Sequence, residues 1–210
     1  MRMGTYYRAE LMDELGLTKV KGRVLDIGGF DGFMLSRIQA DEKVSVDIDT
    51  QPKHGGIAYF RGDGLSMPFA DNSFDAVFAL DVLEHVDDEG QFAREIVRVL
   101  KPGGKLVLTT PQKDVQIFPR QLQKWANKKW QHYRVSGYSA EAVEAYFQGL
   151  NPAAIHTTKL TAGWFLRLYL PLSMIWRLAP GLTEKVLTVL SKLDKRGRGA
   201  HGYVLAEVTK

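Results

Sequence analysis

The run Arg23–Ile27 (RVLDI) is short, apolar and rich in β-formers, and it ends at once in Gly28-Gly29-Phe30-Asp31-Gly32. Such a run reads as a buried strand, and glycines after it let the backbone turn sharply with positive φ. Phe33–Gln39 then reads as a helix. A strand, a glycine turn and a helix open a parallel arrangement, in which each later strand must be reached by a crossover. The rest of the chain meets that condition. Lys43–Ile48 (KVSVDI), Ile57–Arg61, Phe74–Leu80 (FDAVFAL) and Lys105–Thr110 (KLVLTT) read as further strands. Gly90–Leu100 reads as a helix stopped by Pro102-Gly103-Gly104. Ser139–Gln148 is a helix N-capped by Ser139, with Gly149 just past its end. Ile155–Leu160 and Tyr203–Val208 (YVLAEV) are the last two strands. The alternation predicts an α/β protein. No repeat, low-complexity tract or long linker divides the chain, so residues 1–210 are expected to form one domain.

Composition narrows the chemistry. The absence of cysteine excludes disulfides, cysteine nucleophiles and thiolate zinc sites. The N-terminus has no apolar signal core. The longest apolar stretch, Trp164–Trp176, is interrupted by Arg167 and Pro171 and falls short of the ~20 residues a bilayer span needs. These features predict a cytoplasmic protein. The formal charge of +4 conceals a division. Residues 1–112 carry 13 basic and 18 acidic side chains, whereas 113–210 carry 15 and 6. The two halves are expected to meet different partners.

The glycine turn departs from G-x-G-x-x-G, and Asp26 lies two residues before its first glycine. A pyrophosphate cradle wants bare N–H groups and no adjacent carboxylate. An acid there suits a ligand with an amino group. Asp47 closes the second strand, where an acid can bond both ribose hydroxyls. Asp63 follows the third strand and can bond an adenine amino group.

Four segments in unbroken order, VLDIGGFDG (24–32), VDID (46–49), GDGLSMPFADNSFDAVFALDVLEHV (62–86) and LKPGGKLVLTTP (100–111), resemble the class I S-adenosylmethionine-dependent methyltransferases. The likeness is to the small-molecule group that includes ubiquinone-biosynthesis enzymes. The resemblance implies a three-layer, Rossmann-like fold with a seven-stranded, mostly parallel sheet whose last strand is reversed. It implies an N-terminal helix over 1–22, a cofactor-binding core over 23–112 continued by 113–162 and 199–210, and a helical apolar insertion over 163–198. It implies S-adenosylmethionine as cofactor, with S-adenosylhomocysteine as product. Gly28, Gly29 and Gly32 would flank its methionine part, with Asp26 near its amino group. Asp47 and Ile48 would border the ribose, Asp63, Gly64 and Leu65 the adenine, and Leu80 and Asp81 the methyl group. Phe30 stands where the family has its central glycine, so its side chain must point away from the cofactor or the loop must shift.

A hydroxyl acceptor needs a base, and His85 is the first candidate, four residues after Asp81 and on its face if a helix has begun there. His132 is the second, beside Arg134, which is expected to hold the acceptor. The bland alternatives are that His85 caps its helix and that His132 and Arg134 pin a loop. The acids after Asp81 are read as helix N-terminal charges rather than metal ligands, because no H-x-x-x-H spacing is present, and no metal is expected. Residues 118–134 interleave basic and aromatic side chains, which suits nucleic acid, an anionic membrane surface, or an ordinary solvated helix. The stretch from Trp164 reads as an apolar cover for a hydrophobic or lipid-linked acceptor, with Leu182, Val186, Leu190 and Leu193 as the apolar stripe of its second helix. A helical pair packed on the sheet or on a second subunit is the alternative. Methyl transfer to a small or lipid-linked acceptor, at oxygen, by a cytoplasmic protein or one peripheral on the inner membrane surface, is the leading expectation. An RNA methyltransferase using the basic half, and a non-catalytic scaffold, are its rivals.

Overall fold

A computed structural model of the chain describes residues 2–113, 115, 119–122, 124, 137–196 and 202–210. Helix α1 (Met3–Glu14) precedes strand β1 (Arg23–Ile27), α2 (Phe33–Arg37), β2 (Glu42–Asp47), β3 (Ala58–Arg61) and β4 (Phe74–Leu80). A 3-10 turn (Leu83–His85) leads to α3 (Glu89–Val99) and β5 (Leu100–Pro111). Then come α4 (Ala140–Gln148), β6 (Ala154–Thr161), α5 (Gly163–Leu178), α6 (Pro180–Arg196) and β7 (Gly202–Thr209).

The seven strands form one sheet in the order β3-β2-β1-β4-β5-β7-β6. Neighbours among β1 to β5 run parallel, and β7 runs antiparallel to both β5 and β6. The last strand is therefore the reversed one. Successive side chains on a strand serve opposite faces. Val24 and Phe78 join the layer of α1, α2, α5 and α6, while Leu25, Ile27, Val77 and Ala79 join that of α3 and α4. Both faces are covered, which is why β1 and β4 read as mostly apolar runs rather than alternating ones, with Asp26 and Asp75 the exceptions inside them. The result is a three-layer Rossmann-like fold. Strand order reverses between β1 and β4, and their carboxyl ends bound the crevice where an open α/β sheet takes its ligand.

Local signals placed most boundaries. Asp88 caps α3 by accepting from Gln91 N at 2.7 Å, and Ser139 caps α4 by accepting from Ala142 N at 3.1 Å. Three expectations need correction. The helix expected over Phe33–Gln39 ends at Arg37, because Ile38 turns extended and buries itself. Pro102-Gly103-Gly104 does not lie in a loop; the chain passes from α3 straight into β5 at Leu100, with Gly103 at φ +76°. Pro171 does not interrupt α5. It lies on the exposed side, and the helical bond its ring removes is the one to the carbonyl of Arg167, itself an exposed residue.

Helices α1, α5 and α6 interlock. Tyr7 Oη donates to Asp194 Oδ2 at 2.7 Å, and the same carboxylate accepts from Trp164 N at 3.0 Å and Phe165 N at 3.2 Å. The Tyr7 and Phe165 rings stack at 4.1 Å. Burial, and then the Asp194 charge, push the Tyr7 hydroxyl pKa above its ordinary value. The buried stripe of α6 is thus Thr183, Leu187, Leu190, Ser191 and Asp194. Leu182 and Leu193, expected in the apolar stripe, are exposed, because the stripe α1 requires carries the polar partners.

Candidate cofactor-binding site

At the end of β1, Asp26 is 2% exposed and its Oδ2 has no hydrogen-bond partner. Burial, and then the charge of Asp47, push its pKa up to about 7. Gly28 follows at φ +67°, and a Cβ there would meet Val82 at 2.7 Å. A Cβ on Gly29 would lie 2.7 Å from Asp26 Oδ2 and 2.8 Å from Ser45 Oγ, another buried atom without a partner. Only glycine leaves those two polar atoms their space. Gly29→Ala is therefore expected to cost about 1–3 kcal/mol by overpacking. A thermal melt and a cofactor titration of this variant check it, and wild-type values in both would contradict the crowding.

Phe30 takes φ +48°, so its backbone does what the missing glycine would do. Its N–H reaches Asp47 Oδ2 at 3.3 Å, and its ring lies under the Arg2 guanidinium at 3.8 Å. The side chain is thereby turned against the N-terminal segment. Asp47 Oδ1 accepts from Asp49 N and Thr50 N, each at 2.9 Å, so one carboxylate fixes both loops and Oδ2 retains accepting capacity.

At the end of β4, Asp81 has φ +55°, donates its N–H to Thr109 O at 2.8 Å and accepts from Thr109 Oγ1 at 3.0 Å. Its Oδ2 pairs with the Arg8 guanidinium from α1. Arg8 also hydrogen-bonds Tyr203. Glu84 accepts from Thr110 Oγ1 at 3.0 Å, its Oε1 has no partner, and burial followed by the Asp81 charge raises its pKa well above the carboxylate range. The end of β4 thus carries a cluster of one arginine and two carboxyls, in which Glu84 is buried and Arg8 and Asp81 are partly buried.

One pocket unites Asp26, Gly28, Gly29, Phe30, Leu80 and Asp81 with Arg2, Thr5, Arg8 and Met34. The remaining expected residues lie outside its lining. Gly32 (φ +76°) is required by packing, since a Cβ would meet Pro52 at 2.7 Å. Gly64 is likewise pressed against the Phe92 ring. Asp63 accepts from Leu65 N at 2.9 Å and Ile48 is 58% exposed, both beyond the strand ends on the Asp47 side. His85 is exposed in the 3-10 turn rather than one helical turn above Asp81, because Asp81 is left-handed and no helix has begun there. Trp164 is half exposed on α5 and does not line the pocket. His132 and Arg134, with most of the basic aromatic segment 118–134, lie outside the described residues. Among the described residues no group of three His, Asp or Glu is arranged to hold a metal.

Arg2, Thr5 and Arg8 were not singled out from the sequence. Their spacing of three is the signal: it places Thr5 and Arg8 on one face of α1, with Arg2 at its N-cap. Glu84 and Tyr203 carried no such signal.

An unpaired buried carboxyl beside a glycine-floored space fits an ammonium group, and a half-occupied carboxylate one strand away fits hydroxyls. These are the polar groups of S-adenosylmethionine. Fold and site together resemble those of class I S-adenosylmethionine-dependent methyltransferase domains. Residues 25–108 match the methyltransferase domain family. An uncharacterized methyltransferase of Mycobacterium sp. (strain JLS) is 39% identical over 110 residues, which cover 48% of this chain and 44% of that one. The chain thus spans less than half the length of the curated relatives it matches. Among solved structures, phosphoethanolamine N-methyltransferase 2 of Haemonchus contortus in complex with S-adenosyl-L-methionine aligns with TM-score 0.67 and 21% identity, over 97% of this chain and 52% of that one. A Thermotoga maritima methyltransferase, described as a possible histamine N-methyltransferase, aligns with TM-score 0.64 and 19% identity, over 99% and 91%. At these identities the structures share the fold.

Proposed function

We propose that the protein transfers a methyl group from S-adenosylmethionine to a small or lipid-linked acceptor, at oxygen, and acts as one domain in the cytoplasm. The observation that carries the first part is the buried Asp26 carboxyl, unpaired at Oδ2 and held at a pKa of about 7 in the pocket at the switch point of the sheet. Bound there, the cofactor supplies an electrophilic methyl group already activated by its sulfonium. The chain must then hold the two reactants in line and keep water out, and positioning of this kind supplies much of the rate. Asp26 and Asp47 hold the cofactor, and Gly28 and Gly29 let the backbone approach it. Arg8 and Thr109 fix the Asp81 carboxylate at the end of β4. A hydroxyl must lose its proton during the transfer, and our reading assigns its acceptance to Asp81, the pocket carboxylate at the end of β4. An exposed His85 is poorly placed for that task.

Calorimetry with S-adenosylmethionine tests the reading. Binding is expected, weakened about tenfold or more in Asp47→Ala, since a hydrogen bond to a charged group contributes about 1.5–3 kcal/mol. No binding, with Asp47→Ala behaving identically, would leave a scaffold of methyltransferase fold; binding of unchanged affinity in the variant would remove Asp47 from the cofactor's partners. Incubation with methyl-labelled cofactor and paired hydrophobic phenols and amines tests the acceptor atom. Label on the phenols supports oxygen; label on the amines alone overturns it.

A further inference from the structure

Seven of the ten large apolar side chains exposed among the described residues lie on α5 and α6. On α5 they are Trp164 (50% exposed), Met174 (72%), Ile175 and Leu178 (87%). Their spacing puts them on one face, outside the one that Phe165 and Leu172 bury. On α6, Leu182, Val189 and Leu193 do the same. The two helices lie side by side, and the rows join at both ends. Leu178 and Leu182 flank the short turn between the helices. At the other end, Trp164 N is bonded to Asp194, next to Leu193.

The exposed charges of the two helices have one sign. Arg167 and Arg177 on α5, and Lys185 and Lys192 on α6, are exposed, and Lys192 lies 3.8 Å from Glu14 of α1. Of the two acids that α5 and α6 carry among the described side chains, Asp194 is buried and Glu184 half-buried. Arg167 lies 5.7 Å from the Trp164 ring centroid, an aromatic with a polar edge beside a cation. No helix among the described residues is long and apolar enough to cross a membrane.

We propose that the outer face of α5 and α6 docks on an anionic lipid bilayer, with its apolar row in the interface and its cations on the headgroups. A second copy of the chain is the weaker occupant, because a symmetric contact would bring the same cations together. An anionic surface supplies the charges that the face lacks. The inference concerns a surface remote from the cofactor residues and does not depend on the transfer reaction.

Flotation of the whole chain with phosphatidylcholine vesicles, with and without about 30% phosphatidylglycerol, tests it. Retention is expected on the anionic vesicles and not on the neutral ones. Met174→Asp with Leu178→Asp should lower partitioning by about tenfold or more, because each change removes a side chain that would enter the interface. Arg177→Glu with Lys185→Glu should lower it by about fivefold or more per residue on anionic vesicles. Both pairs are exposed, so wild-type melting temperatures are expected and identify a folded variant. No retention of the wild type overturns the proposal, as does retention that neither pair alters. So does a wild-type dimer by light scattering that Met174→Asp disperses, or binding to single-stranded RNA without binding to vesicles. Vesicle retention in a protein that binds no S-adenosylmethionine would remove the transferase reading and leave the docking face standing.

Discussion

Asp26→Asn is expected to weaken S-adenosylmethionine binding by about 100-fold or more and, at the same time, to stabilise the ligand-free protein at neutral pH. Both effects have one cause. The carboxyl is 2% exposed, and its Oδ2 has no partner in the protein. Its charge is costly until a cationic group arrives. Burial and then Asp47 raise its pKa from 3.8 to about 7, so the folded chain keeps the proton that the unfolded chain releases. Between those values the folded state binds more protons, so the contribution of Asp26 to stability is full below the unfolded value and is lost as pH rises through the folded one. Above about pH 7 the amide, which cannot ionise, should make the ligand-free fold more stable by on the order of 2 kcal/mol, after allowance for burying its own N–H groups. Urea unfolding at about pH 4 and pH 8 reads this directly; the gain should be small at the lower pH, grow between the two pKa values and be complete at the higher pH.

Cofactor affinity should run the other way. An ammonium group needs the ionised carboxylate, so binding below the folded pKa releases a proton. Affinity should fall by up to about tenfold per pH unit below pH 7, and this slope should vanish in Asp26→Asn. Calorimetry in two buffers of different ionisation enthalpy counts the proton. A variant that binds as tightly as the wild type, or a wild type that releases no proton, would sink the assignment of Asp26.

Asp194→Ala is expected to be the most damaging change away from the pocket. One carboxylate, 2% exposed, accepts from the Tyr7 hydroxyl and from the first two N–H groups of α5 after Gly163. Its removal leaves the buried Tyr7 and Phe165 donors, and the part-buried Trp164 N–H, without this acceptor; at about 1–3 kcal/mol for each buried donor, a loss of about 3–5 kcal/mol and a fall in Tm of about 10 °C or more are expected. Asp194→Asn has one acceptor oxygen for three donors and should lie between. Limited proteolysis of the alanine variant should cut first near α5 and α6, since the contact that fixes them to α1 is gone. An alanine variant with the wild-type Tm and cleavage pattern would show that the hub carries no such weight.

The sheet and the ends of its strands were legible in the sequence because both depend on local rules. A strand covered on both faces is mostly apolar, and RVLDI and FDAVFAL are, apart from Arg23, Asp26 and Asp75. A turn with positive φ prefers glycine, and Gly28 and Gly32 mark it. Caps such as Asp88 and Ser139 act within three residues. Asp26 and Asp47 could be singled out because they fall at fixed offsets from those strands. Asp81 was also singled out, but its left-handed conformation was not, and with it fell the helical pairing to His85.

The α/β class, the order of most elements and the acids at the strand ends are written in the sequence, because periodicity and turn chemistry act over a few residues. The tertiary structure alone decided which surface of α1 meets the sheet, and hence that Arg8 reaches Asp81 across more than seventy residues of chain. It also decided that α6 buries Thr183, Ser191 and Asp194 while Leu182 and Leu193 face outward. Burial favours apolar groups only until a buried polar partner must be matched. Tyr7 supplies that demand from the far end of the chain, and no local pattern in α6 records it.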